Sequence, residues 1–170
     1  MAFKKPIIRP VLDIPLTTLE RVLITLGIIA VIICFGIAMQ SWPELPDSIP
    51  QHFNAAGQVD GWGDKYSLLT LPVLGLLLFA LIIILGRFPH TYNYPVKITK
   101  ENAPIQYQMG RTLLIWFGAC IPWLFVYIVW TMVQTALGLK NGLNIWLMST
   151  TILLCCAPLV IYLYEAHKYK

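Results

Sequence analysis

Apolar and polar positions alternate along this chain in whole blocks rather than turn by turn. Four long apolar runs, about Val22–Met39, Leu68–Leu85, Leu113–Ala136 and Ile145–Tyr164, are separated by a polar insert (residues 40–67), a basic stretch and a short turn. Each run is long enough to cross the hydrocarbon of a bilayer as a helix, which takes about 20 residues at roughly 1.5 Å each. None of the four contains Asp, Glu, Lys or Arg. Backbone groups find no water in lipid, so such runs must bond internally, and they lack the period-two alternation of barrel strands. The pattern predicts an all-α integral membrane protein: a four-transmembrane-helix bundle forming a single domain over residues 1–170. A small extracytoplasmic β-hairpin-like insert lies between its first two helices.

Detail within the runs sharpens the picture. Ala30, Cys34 and Ala38 recur every fourth residue, a ridge of small side chains that lets a neighbouring helix approach closely. Trp116, Trp123 and Trp130 recur every seventh residue with Tyr127 alongside. They form one stripe, read either as a lipid-facing or packing surface or as an aromatic groove. Pro122 and Pro158 fall inside runs and are expected to kink them. Ser149, Thr150 and Thr151 can bond to their own backbone or to a neighbouring helix. "DIPLTTLER" reads as a helix entry, with Thr17 or Thr18 as cap and Glu20 in the first turn. About twenty residues precede the first run and no small-x-small site follows it, so it is expected to be a retained helix rather than a signal peptide. Between the second and third runs, Pro89, Pro95 and Pro104 indicate a loop, with Val96–Thr99 as a short strand.

Composition agrees. Of 170 residues, 58% are hydrophobic and 12% charged, with a mean hydropathy of +0.70. A soluble domain carries about 25% charged residues. The net charge of +4 is distributed by topology. Lys4, Lys5, Arg9, Arg21, Arg87, Lys97, Lys100, Arg111, Lys168 and Lys170 fall on one side, and only Lys65 and Lys140 on the other. The positive-inside rule then puts both termini in the cytoplasm and the insert outside. The charges form no single patch, so no nucleic-acid partner is expected. Trp42, Trp62, Tyr66 and Trp146 are expected in the outer aromatic belt. Phe88, Tyr92, Tyr94, Trp116, Tyr162 and Tyr164 are expected in the inner one. Cys34, Cys120, Cys155 and Cys156 all lie in the runs, away from any oxidising loop.

The chemistry worth weighing sits in the insert, "LPDSIPQHFNAAGQVDGWGDK". Pro43, Pro46 and Pro50 each fix a backbone dihedral and stiffen the exit from the first helix. Ile49, Gln51 and Phe53 are expected on one side of an extended run, with His52 on the other. Asn54 and Gly57 supply a turn, and "QVDGW" returns with Val59 inward, completing a hairpin. His52, Asn54, Asp60 and Asp64 could converge on a hard cation, but no ligand spacing typical of calcium or zinc is present. The competing reading, in which His52 and the acids tie the loop to itself with a Lys65 pair, is preferred. No metal, cofactor or catalytic residue is therefore expected.

The spaced residues Leu45, Pro46, Asp47, Pro50, His52, Phe53, Gly57, Asp60, Trp62 and Lys65 resemble the motif of a prokaryotic membrane domain, domain of unknown function 1648. It is also found in SdpI-type immunity and signalling proteins. The resemblance runs over Ser41–Pro72 and the flanking runs. It implies a protein of a prokaryotic plasma membrane with a membrane-anchored binding or sensing role; SdpI-type proteins confer immunity to a secreted toxin and bind a cytoplasmic regulator. The basic inner loop beyond the motif is expected to be this chain's own. Taken together, the expectation is a non-enzymatic protein in the lipid bilayer. Its rigid outer loop, with Asn54 added to the motif residues, recognises a peptide, lipid or membrane-protein partner. The alternatives are a small structural subunit or assembly factor of a larger membrane complex and, behind these, a transporter; a homo-oligomer is compatible with each.

Overall fold

A computed structural model describes residues 9–170; Lys4, Lys5 and Pro6 of the basic N-terminal flank lie outside the described residues. Four helices, α1 (Thr18–Ser41), α2 (Thr70–Leu85), α3 (Ala103–Ala136) and α4 (Ile145–Lys168), belong to segments long and apolar enough to cross a membrane. Between α1 and α2 lies a two-stranded antiparallel hairpin, β1 (Ser48–Phe53) and β2 (Val59–Asp64). Short 3-10 turns, Trp42–Glu44 and Lys65–Leu69, join the hairpin to the two helices.

Helix α1 starts where its cap dictates. The Thr17 hydroxyl accepts from the Glu20 backbone N–H at 3.2 Å, and the Glu20 carboxylate accepts from the Thr17 N–H at 2.8 Å. This reciprocal box satisfies two amides that would otherwise lack partners. The small-residue ridge then does what its spacing predicts. Ala30, Cys34 and Ala38 are buried, and Cys34 and Ala38 share a core cluster with Val129, Met132 and Val133 of α3.

Helix α3 is the hub, packing against α1, α2, α4 and β1. Close approach to α2 is set at Gly118, where an added Cβ would come within 2.7 Å of Ile82. The helix runs through Pro122, as α4 runs through Pro158. Helix α4 carries its apolar residues outward: none of its membrane window is buried, so lipid is the natural solvent for Leu153, Val160 and Ile161. Trp123 and Trp130 are over a third exposed, the behaviour of a lipid-facing stripe, whereas Trp116 turns inward and donates its indole N–H to the Cys155 carbonyl at 3.1 Å.

Several boundaries differ from the sequence reading. Helix α3 begins at Ala103, ten residues before the apolar run, because Gln106, Tyr107 and Arg111 are buried in it rather than solvated in a loop. Helix α4 continues past Tyr164 to Lys168. Val96–Thr99 forms no strand; it is an irregular segment whose Ile98 packs with Ala103 and Tyr107. Tyr92 and Tyr94 are half-buried. Their hydroxyls donate to the carbonyls of Leu85 and Pro89, and Tyr94 lies against Tyr107 with ring centroids 5.6 Å apart.

Candidate functional site

The hairpin is anchored by its apolar residues. Leu45, Ile49 and Leu68 are at most 5% exposed and join the α1–α3 core cluster, against which the half-buried Phe53 packs. Pro50 is fully buried opposite Trp62 in the ladder. The ladder shifts register between Pro50 and His52 and again before Phe53. This irregularity breaks strict alternation, so Gln51 lies exposed rather than inward with Ile49 and Phe53. Pro46 is exposed at the approach to β1.

The turn is built by Asn54. Its side-chain oxygen accepts from the N–H groups of Ala56 and Gln58 at 2.9 and 3.0 Å, and its carbonyl accepts from Gly57 at 2.8 Å. Gly57 has φ 79°, in the left-handed region. Its carbonyl accepts from the Leu143 N–H at 2.8 Å, which fastens the tip to the α3–α4 connection. An added Cβ on Gly57 would sit 2.2 Å from the Leu143 carbonyl oxygen. One on Gly142, itself at φ 116°, would sit 2.2 Å from the Gly57 carbonyl oxygen. Two glycines from distant parts of the chain thus form one clasp, a contact absent from the sequence reading; the Gly138 and Gly142 spacing in "ALGLKNGLN" is its only trace.

The outward side carries the polar motif residues. The His52 Nδ1 and an Asp60 carboxylate oxygen are 2.5 Å apart, with side chains 72% and 43% exposed. Trp62 stands on the same strand as Asp60, two residues on, and is 57% exposed. At the base, Lys65 Nζ is 3.4 Å from the Asp47 carboxylate and 5.7 Å from the centre of the Trp42 ring, while the Lys65 N–H donates to the Asp47 carbonyl. The four groups weighed as cation ligands do not converge. His52 and Asp60 meet, but Asn54 is committed to the turn. Asp64, at the far end of the ladder beside Ser48, accepts from the Tyr66 N–H at 2.8 Å. The acids and His52 tie the loop to itself.

A second polar centre lies at the opposite end of the bundle. Glu20 is fully buried, and its carboxylate accepts from Arg111 Nε and Nη2 at 2.9 and 3.0 Å and from the Thr112 hydroxyl at 2.9 Å. Arg111, 6% exposed, also donates from Nη1 and Nη2 to the carbonyls of Ile14 and Pro15. The Tyr107 hydroxyl donates to the Pro10 carbonyl, and Arg9 donates to the carbonyls of His90 and Tyr92. Residues 9–17 are thereby strapped across the helix ends. The bundle is therefore not free of interior charge. Sequence alone places Glu20 and Arg111 at the flanks because each lies just outside an apolar run, and nothing local links positions 91 apart.

Comparison with known proteins decides the affiliation of the hairpin region. Residues 29–76 match the family model of a domain of unknown function (DUF1648). The match takes in the second half of α1, the whole hairpin and the start of α2, less than a third of the chain. An uncharacterized protein of the archaeon Archaeoglobus fulgidus is 30% identical over 89 residues, 48% of this chain and 49% of that protein. The chain spans about half the length of that relative. No solved structure matches. The DUF1648 region coincides with the clasped hairpin and the small-residue ridge that supports it.

Proposed function

We propose that this multi-pass DUF1648 protein is a non-enzymatic recognition protein whose hairpin presents Trp62 and the His52–Asp60 pair to a peptide or membrane-protein partner outside the cytoplasm. One observation carries the reading. The inner side of the hairpin is locked into the bundle core and its tip is clasped to the α3–α4 connection, yet a large aromatic side chain is left 57% exposed on the strand that carries the His52–Asp60 contact. Exposed aromatics on rigid supports are the residues that dominate binding energy at interfaces, because little entropy is lost on ordering them. The excess of basic residues at the opposite end supports an extracytoplasmic hairpin and cytoplasmic termini in a prokaryotic plasma membrane. Buried Arg111 is excluded from that count, since its charge is matched by Glu20.

The test is cross-linking in intact cells from a photoreactive residue at position 62. A discrete adduct is expected, lost when His52 and Asp60 are both replaced by Ala. Trp62→Ala is expected to weaken the captured complex by about 2 kcal/mol or more, the scale of an aromatic anchor. Absence of any adduct with a correctly inserted chain would reject the reading. An adduct formed equally from lipid-facing Leu153 of α4 would favour an assembly subunit instead.

A further inference from the structure

We propose that the chain holds a phospholipid with a zwitterionic, primary-amine headgroup in a cavity at the strapped end of the bundle, separate from the hairpin. The cavity measures about 410 Å³, within the 300–1,000 Å³ typical of small-molecule sites. Its lining divides by chemistry. Leu16, Ile24, Ile83 and Ile115 form an apolar wall drawn from the strap and from α1, α2 and α3. Asp13 and Arg87 supply the charges. Asp13 lies on the strap and Arg87 just beyond the end of α2, the level at which a lipid headgroup meets the helix ends. Both are exposed, and neither enters a salt bridge among the described residues. Arg111, also in the lining, has its charge matched by Glu20 and donates to the carbonyls of Ile14 and Pro15, so it fixes the strap in place, and Arg87 is the lining cation without a carboxylate partner among the described residues.

One cation and one anion at the mouth of an apolar cavity match a headgroup that itself carries both signs. A phosphate fits Arg87, whose planar fork suits phosphate oxygens. An ammonium with N–H donors fits Asp13, and acyl carbons would lie along Ile24, Ile83 and Ile115. A purely anionic headgroup would satisfy Arg87 and be repelled by Asp13. A choline headgroup carries the positive charge without a donor for the carboxylate.

The experiment uses the full chain purified in mild detergent. Retention of added phosphatidylethanolamine, phosphatidylcholine and phosphatidylglycerol is read by native mass spectrometry, with water-soluble phosphoethanolamine as a fourth ligand. Phosphatidylethanolamine is expected to be retained about tenfold more strongly than the other two lipids, one charge-assisted hydrogen bond being worth about that factor. Arg87→Gln and Asp13→Asn are each expected to remove most of the preference. Both side chains are exposed, so these variants fold, and Ile83→Trp, which fills the apolar part, is expected to lower retention of the lipid. Equal retention of the three lipids, or a preference for phosphatidylglycerol, would overturn the assignment. So would a phosphatidylethanolamine preference that survives both charge substitutions. Soluble phosphoethanolamine binding as tightly as the lipid would overturn the lipid as its source.

Discussion

At the scale of single residues, the most consequential side chain is Glu20. A carboxylate that is fully buried near a membrane persists only when its charge is matched and its lone pairs are used. Glu20 accepts four hydrogen bonds, from Thr17, Thr112 and twice from Arg111. Removing one partner leaves the other charge buried, so Glu20→Ala or Arg111→Ala is expected to destabilise the protein by about 3–5 kcal/mol. A combined Glu20→Gln, Arg111→Met variant should recover part of that loss. Thermal unfolding in detergent checks both, and single variants within about 0.5 kcal/mol of wild type would mean that the pair carries no such weight. Tyrosines near the strap add a pH dependence. Burial pushes the Tyr92 phenol up to about 12 and the Tyr94 phenol higher still. The folded state thus favours the neutral phenols, which donate to the Leu85 and Pro89 carbonyls. Their contribution is complete below the ordinary phenol range of about pH 10; that of Tyr92 is lost as pH rises toward 12, and that of Tyr94 persists further. Alkaline titration should therefore loosen the strapped end, and Tyr92→Phe should shift that transition; an unshifted midpoint would contradict the assignment.

At the scale of elements, the hairpin depends on two glycines that no local pattern pairs. Gly57→Ala and Gly142→Ala each place a Cβ against a carbonyl oxygen and strain a left-handed backbone, at a cost of roughly 1–3 kcal/mol. Both should free the tip from the α3–α4 connection, lowering the melting temperature and raising amide exchange at Leu143. The hairpin itself was legible in the sequence: its prolines, Asn54 and Gly57 are turn and stiffening residues with local causes. The inward position expected of Gln51 was not, because a register shift depends on the partner strand. Helix α3 was read ten residues short for a related reason. Its first turns carry Gln106, Tyr107 and Arg111, whose burial depends on the strap and on the end of α4. Gln106, for instance, donates to the Ala166 and Tyr169 carbonyls. At 34 residues the helix is about 50 Å long, more than the roughly 30 Å hydrocarbon layer requires.

At the scale of the whole molecule, the four-span plan follows from block hydropathy, because lipid leaves the backbone no other solution. The two contacts that close the structure at either end do not. One is the clasp between Gly57 and Leu143, and the other is the ion pair between Glu20 and Arg111; both join residues far apart in sequence. Between them, the small-residue ridge of α1 and the hub helix α3 hold the hairpin as a fixed platform. The most direct measurement of that rigidity is hydrogen–deuterium exchange over residues 48–64 of the full chain in lipid nanodiscs. The account predicts slow exchange of the β1–β2 ladder amides in the wild type, and accelerated exchange across Asn54–Val59 in Gly142→Ala. Wild-type ladder amides that exchange at the rate of an unstructured peptide would contradict it.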